Sequence, residues 1–523
     1  IDGETSRDFD DAVTVRRLPN GNYELQVHIA DVAHYVRPSS ALDDEATLRG
    51  TSVYFPDRAV PMLPIELSTD ICSLRPQVER LVMSCVMEID SQGEIVSYDL
   101  SDGVIRSAER MTYTDVNAIL EGDAHLRKRY ATLGSLFELM RELAIILNRK
   151  RVRRGSIDFD LPEPVIEFDE QGLMQGVGRS ERNIAHRITE EFMLAANETV
   201  ASHLERAGVP SIYRIHEKPD AKKIYEFETI AASFGYSLGV GALPVRRMQM
   251  KADRRARQQS GRNPRDIELP QEVHITPRMY QKLTQKIAGK PEERILSFLM
   301  LRSLKQARYS EKNAGHFALA APTYTHFTSP IRRYPDLLVH RILKEVLGRE
   351  ARGHNDGHSA AGSLEIQPSK SEAGPSPWSK RRPQETESEK REAGDLRSGA
   401  SYAEVQLHEL AESSSYSERR ADEAERELME WKKIKFMGER LGEDFRGLVV
   451  SATKYGLFVE LEDLFIEGLV PLQTLEGDRF TFRENTRQII GERSRKTYSL
   501  GDRVRVIVDR IDQVRRKIQF ALL

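Results

Sequence analysis

From Ile1 to about Tyr113, apolar and polar positions alternate with a period of two between turn residues, which predicts mostly strand. The first unit reads as a hairpin, with Ala12-Val13-Thr14-Val15, a Pro19-Asn20-Gly21-Asn22 turn, and Tyr23 to Val32. From Asn183 onward the apolar spacing turns helical. Ile184, Ile188, Glu191, Ala195 and Thr199 share one face of a helix from about Asn183 to Arg206, so a carboxylate sits on a stripe that should face the core. Helices are also predicted over Ala221 to Phe234, Pro277 to Ala288 and Glu292 to Tyr309. The mixture predicts an α+β domain over residues 1–438.

Residues 353–400 interrupt the pattern. Gly, Ser, Pro, Glu and Lys dominate and Trp378 is the only large aromatic residue, so the stretch reads as a disordered insertion that buries too little to offset its ordering entropy. Helical spacing then returns, with Ala421, Ala424, Leu428 and Trp431 forming an apolar stripe and Glu425 at its margin. After about Gly442 the chain changes to short strands, Phe445 to Val450, Gly456 to Leu461, Gly468 to Val470, Gly501 to Val506 and Lys517 to Phe520.

Lysine plus arginine (78) nearly balance aspartate plus glutamate (81), so any polyanion must meet local patches rather than a polycation. Two exist, Arg149 to Arg154 and Arg246 to Arg265, and each has an ordinary solvated helix face as its alternative. Cys72 and Cys85, the two cysteines, lie in apolar surroundings, which suggests a reduced cytoplasmic setting rather than a disulfide scaffold. No apolar run approaches the ~20 residues that span a bilayer, so no membrane association is expected, and no obligate protein partner is evident.

The chemistry concentrates at the start. Asp2, Asp8, Asp10 and Asp11 fall within the first twelve residues and run into a strand-forming segment. Carboxylates this close raise each other's pKa, whereas a hard cation, Mg²⁺ or Mn²⁺, turns the repulsion into coordination. In extended chain Asp8 and Asp10 point one way and Asp11 the other, which lets the group surround an ion. The alternative is a solvated acidic turn.

These residues carry a resemblance. Ile-Asp-Gly-x-x-x-Arg-Asp-Phe-Asp-Asp-Ala over residues 1–12 resembles the signature of the RNase II/RNase R exoribonucleases, and further blocks match in order: Ile29 to Val32, Gly50 to Pro56, Cys72 to Pro76, Glu190 to Met193, Arg214 to His216 and His326 to Tyr334. Pro61 to Pro64 and Arg332 to Asp336 look nearer the RNase R branch. The resemblance implies an RNase II-type catalytic domain, a mixed sheet surrounded by helices, and cold-shock-type RNA-binding domains ahead of Ile1. Residues 442–523 resemble the ribosomal protein S-one type RNA-binding domain, an oligonucleotide-binding (OB) barrel.

By the same resemblance Asp2 and Asp11 look like metal ligands, Asp8 a supporting ligand, and Asp10 the group that holds the second ion or attacking water. Arg332 follows Ser329, a plausible N-cap, and Pro330, suited to a first helical position, so its guanidinium is the candidate grip on the scissile phosphate. Glu425 matches a family glutamate near the catalytic centre. Tyr54 and Phe159 match an aromatic clamp on the terminal bases. Tyr113 and the Glu190/Glu191 pair resemble groups that contact the sugar, and helical spacing favours Glu191 as the inward one. In the barrel, Tyr455 and Phe458 are the candidate stacking rings, although Pro471 stands where the family often has a histidine. His216 and His316 read as core histidines rather than ligands. The expected activity is processive, metal-dependent 3′-to-5′ hydrolysis of single-stranded RNA to nucleoside 5′-monophosphates. The rivals are a catalytically inactive RNA-binding regulator of the same fold and a nuclease acting on DNA.

Overall fold

Strands β1 (Asp11–Arg17) and β2 (Tyr23–Ala30) pair antiparallel in the computed structural model, with Val13 opposite Val27, and Gly21 takes a φ of 87° in the turn between them. Tyr23, Leu25, Val27 and Ile29 alternate into the core and are fully or almost fully buried. The structure describes residues 1–56, 58–159, 164–168, 174–179, 182–241, 245–249, 266–270, 273–356, 402–484 and 487–523.

The short strands β3 (Val53–Phe55) and β4 (Arg58–Val60) form a ribbon of their own. Long strands β5 (Glu79–Ile89) and β6 (Ile95–Arg106) complete a four-stranded sheet in the order β1-β2-β5-β6, antiparallel at every pairing. The stretch before Tyr113 is less uniformly extended than its alternation predicts. Helices α1 (Val32–Tyr35) and α2 (Ala41–Arg49) intervene, and each starts at a polar cap: Asp31 accepts the His34 N–H, and Ser40 Oγ accepts the Asp43 N–H at 3.3 Å.

Helices α3 (Tyr113–Glu121), α4 (Ala124–Arg129), α5 (Gly134–Arg154) and α6 (Ile184–Ala207) follow, and the chain is α+β as expected. Asn183 and His186 make a reciprocal capping box that fixes where α6 begins. α5 ends at Gly155, whose φ of 102° favours glycine, and a Cβ there would stand a tight 3.2 Å from Arg278 Cβ. Ala221–Ser233 and Pro277–Ile287 are helical as predicted. The helix expected to reach Tyr309 instead covers Glu293–Ser303; Arg308–Ser310 pairs as a strand with Tyr213–Ile215, and the Tyr309 N–H donates to Ser415 Oγ at 2.9 Å.

The helix Tyr334–Asp356 runs into the first residues of the expected insertion, and 357–400 of it lie outside the described residues, as do Lys251, Arg254, Arg255, Arg257 and Arg262 of the second basic patch. The helix Glu404–Gly438 links two cores. Leu407 and Ala411 join the main core, whereas Ile434, Phe436 and Met437 enter the core of the barrel. Trp431 departs from the expected stripe: it is 49% exposed because this turn of the helix has left the main core.

The barrel closes through Asp444–Thr453, Gly456–Leu461, Glu467–Pro471, Lys517–Leu522 and Arg503–Asp512, the five strands read from the sequence. An unanticipated three-stranded sheet, Phe480–Arg483, Gln488–Gly491 and Thr497–Tyr498, is inserted before its fourth strand. Among the described residues no helix is long and apolar enough to cross a membrane.

Candidate active site

Asp10 stands immediately before β1 and is only 5% exposed. Its Oδ1 accepts the Ile331 N–H at 2.9 Å, and its Oδ2 lies 3.8 Å from Arg332 Nε. The loop that carries Arg332 is itself fixed: Ser52 N–H donates to Arg332 O at 2.9 Å, and Tyr334 N–H donates to Gly50 O at 3.0 Å. A second loop, at residues 50–52, therefore holds Arg332 in register with the acidic segment.

The expected helix start at Ser329-Pro330 is not found, since the helix begins at Tyr334. Residues 330–332 form a turn, and the N–H groups of Arg332 and Arg333 both donate to the Ser329 carbonyl. With the helix starting at Tyr334, the expected anion grip rests on the Arg332 guanidinium, whose Nη2 donates to Ser329 Oγ at 3.0 Å. Arg333 is occupied by Asp336, with contacts of 2.9 and 2.7 Å.

All four aspartates line one cleft of about 440 Å³, together with Tyr54, Tyr113, Thr189, Glu190 and Arg332. Asp2 enters through backbone pairing: its N–H donates to Met111 O, and its carbonyl accepts the Tyr113 N–H at 3.1 Å. Burial pushes the Asp2 carboxyl up to about 6, with the charges of Asp11 and Asp8 adding to the effect. Burial raises Asp10 well above the usual carboxylate range against the opposing pull of Arg332 and the Ile331 N–H, and it raises Asp11 as well. Asp11 Oδ2 is buried with no hydrogen-bond partner among the described residues.

The carboxylates are in one cleft but are not gathered as the alternation suggested. Among the described residues no three His, Cys, Asp or Glu side chains stand ready to grip an ion. The physical reason is mutual repulsion. Asp8 Oδ2 accepts the Tyr54 hydroxyl at 2.9 Å and Asp10 takes Ile331, so each carboxylate turns to a nearby donor. The donor set nevertheless fits a hard divalent cation: all-oxygen, excess negative charge, and one orphaned buried oxygen.

Tyr113 opens α3 behind its cap Thr112, and its ring stacks on His186 at 4.0 Å and 19°. Burial, aided by the Asp2 and Asp11 charges, pushes its hydroxyl up to about 12, so it remains a hydrogen-bond donor at neutral pH. Of the glutamate pair, Glu190 lines the cleft and Glu191 does not. Glu191 is 4% exposed and accepts from Arg151 Nη2 at 2.7 Å and Asn148 Nδ2 at 2.8 Å. The stripe argument correctly sent Glu191 inward, but inward is the α5–α6 seam and not the substrate. Part of the first basic patch is committed to neighbouring acids, with Arg151 and Arg154 paired to Glu191 and Glu198 of α6 and Lys150 to Glu94.

Two other candidates stand outside the cleft lining. Glu425 does not line the cleft; its Oε1 accepts the Tyr54 N–H at 2.9 Å, so it supports the strand that carries Tyr54. Phe159 is also absent from the cleft lining and, partly buried, packs against a separate apolar cluster containing Ile157, Ile224 and Phe227. His216 and His316 are edge-to-face at 5.2 Å, and burial holds the His316 imidazole down to about 3, as suits core histidines. In the barrel, Tyr455 is 65% exposed beside Lys454, while Phe458 is half-buried.

Sequence reasoning missed Thr189, Met193 and Asn197, which line the cleft with Glu190. Their spacing was a usable signal: 189, 193 and 197 repeat every four residues, on a stripe beside the apolar one.

A protein-family model described as the RNB domain matches residues 1–349, and one described as the S1 RNA binding domain matches residues 440–523. Ribonuclease R 1 of Lactococcus lactis is 43% identical over 523 residues, all of this chain and 55% of that protein. The chain thus spans little more than half the length of the curated relatives it matches. Among solved structures, Mycoplasma genitalium RNase R in complex with ribose methylated single-stranded RNA aligns with a TM-score of 0.77 at 26% identity, covering 100% of this chain and 70% of that one. Yeast Ssd1, a pseudonuclease, shares the fold with a TM-score of 0.62 at 20% identity, over 92% of this chain and 50% of that one.

Proposed function

The chain belongs to the RNB family, and from that premise we propose that it is a divalent-metal-dependent 3′-to-5′ exoribonuclease that releases nucleoside 5′-monophosphates processively from single-stranded RNA. Residues 1–438 form its catalytic unit and 442–523 its RNA-binding barrel, working in a cytoplasmic setting. The observation that carries this reading is the meeting, in one cleft, of four aspartates, the exposed guanidinium of Arg332, and the Tyr113 and Glu190 side chains.

Each residue has a task suited to its chemistry. Asp2, Asp8, Asp10 and Asp11 would hold Mg²⁺ or Mn²⁺, in a two-ion arrangement. When bound there, such ions supply an activated water and positive charge for the developing phosphorane. Arg332 grips the scissile phosphate, for which a planar guanidinium is matched. The Tyr113 hydroxyl and the Glu190 carboxylate offer a donor and an acceptor to a ribose 2′-OH, the atom that separates RNA from DNA. Tyr54, 42% exposed, presents a ring for a terminal base, and Tyr455 presents one on the barrel.

Because a pseudonuclease shares this fold, fold alone does not argue activity. The presence of all four aspartates and Arg332 favours the enzyme over an inactive RNA-binding regulator. A 5′-labelled single-stranded RNA, incubated with the chain in Mg²⁺ and then with EDTA, tests the reading. Progressive shortening with mononucleotide release in Mg²⁺ alone is expected; persistent full-length RNA in both would reject it.

A further inference from the structure

Glu190 is not a free carboxylate at the cleft wall. Arg182 forks between two acids: its Nη1 donates to Asp158 Oδ1 at 2.9 Å, and its Nη2 donates to Glu190 Oε2. Arg151 backs the same group, with Nη2 lying 3.6 Å from Glu190 Oε1, 3.7 Å from Asp158 Oδ2 and 2.7 Å from Glu191 Oε1. Two guanidiniums thus serve three carboxylates. The Arg151 end is buried, at 7% side-chain exposure, whereas Arg182, Glu190 and Asp158 are 27%, 35% and 36% exposed, and Glu190 is the member that lines the cleft.

The position of Arg182 along the chain matters as much as its contacts. It directly precedes Asn183, the cap of α6, and His186 of that capping box stacks on Tyr113. At its other end the fork grips Asp158, the neighbour of Phe159. One side chain therefore ties Glu190 to Asp158, and its backbone neighbour Asn183 caps the helix whose His186 stacks on Tyr113. A glutamate without such a contact samples several rotamers, and a guanidinium fixed between Asp158 and Glu190 holds the Glu190 carboxylate in one.

We propose that Arg182 is a positioning residue for sugar recognition: it holds the Glu190 carboxylate where it can accept from a ribose 2′-OH, and so helps set the preference for RNA over DNA. The inference rests on the proposed sugar contact of Glu190. Arg182 itself touches no substrate. Lysine would replace it incompletely, since an ammonium is a point charge and cannot bridge two carboxylates in fixed geometry.

The test compares two 5′-labelled oligonucleotides, one all-ribose and one with 2′-deoxyribose at the last few 3′ positions, on the parent, Arg182→Ala, Arg182→Lys and Glu190→Ala. Arg182→Ala is expected to lower kcat on the all-ribose strand by about tenfold, the worth of one charge-assisted hydrogen bond, with much less effect on the deoxy-ended strand. The ratio between the substrates then narrows, and Arg182→Lys narrows it less. Equal slowing of both substrates would mark Arg182 as merely structural and overturn the inference. Should Arg182→Ala fail to fold, Arg182→Lys still carries the charge, and an unchanged ratio in it overturns the inference as well. Glu190→Ala separates the two layers. If it narrows the ratio while the Arg182 variants do not, only the positioning role fails; if it leaves the ratio intact, the sugar contact fails and the inference falls with it.

Discussion

The Ile331 N–H donates to Asp10 Oδ1 at 2.9 Å across 321 positions of sequence. That bond joins the acidic segment to the loop of Arg332, so the side chains proposed to meet the reacting phosphate from two sides are registered by backbone. It also means that Asp10 has two separable roles, one as an acceptor and one as a charge.

Glu191 gives the first prediction, as a contrast with its neighbour. Removing a partner from a buried ion pair leaves a charge uncompensated, and Arg151 keeps only the more distant Asp158 and Glu190. Glu191→Ala should destabilise the fold by on the order of 3 kcal/mol, the low end for broken buried pairs. Urea unfolding should show that loss, while the folded enzyme retains the RNA-to-DNA preference of the parent.

Tyr54 separates ring from hydroxyl. Its hydroxyl is committed to Asp8, and its ring is the part free to stack. Tyr54→Ala should lengthen the final undegraded oligonucleotide while early cleavage of long RNA stays fast, because long strands keep other contacts. Tyr54→Phe should leave the end product unchanged. A gel of end-point products distinguishes them, and an unaltered end product in Tyr54→Ala would remove Tyr54 from the base contacts.

Metal removal couples to pH. Asp2, with its carboxyl pushed up to about 6, binds its proton more tightly folded than unfolded. Its contribution therefore favours the fold below the ordinary value of 3.8 and is lost as pH rises through about 6. Cations bind the deprotonated form, so they relieve what the rising pH imposes. Mg²⁺ added to EDTA-treated protein should raise the melting temperature more at about pH 7.5 than at about pH 5. An increment equal at both values would place the bound ion elsewhere.

Much of the architecture was legible because it was local. The hairpin Asp11–Ala30, the helix Ile184–Ala207 and the five barrel strands each carry their period and caps within one short window. What was misread depended on distant partners. The helix after Glu292 stops early because Arg308–Ser310 finds Tyr213–Ile215, and no residue in that window announces the partner. The site shows the same division. Four aspartates within twelve residues could be found by proximity, whereas Glu190 and Glu191 differ by which neighbour each meets, and Arg151 is far away in sequence. Phe159 was picked out by the resemblance alone, and the cluster it packs against includes Ile224 and Phe227, well over fifty positions later.

The central claim is that Asp10 contributes its charge to catalysis and not only its acceptor to the fold. Asp10→Asn isolates the two, since the amide oxygen can still accept the Ile331 N–H while the negative charge is gone. Steady-state turnover of a 5′-labelled RNA in Mg²⁺, measured beside RNA affinity, is the decisive measurement. Turnover should fall by a few orders of magnitude, on the order of 3–5 kcal/mol in barrier, with affinity within a few-fold of the parent. An Asp10→Asn protein that degrades RNA at the parental rate would contradict the metal-site assignment and the mechanism built on it.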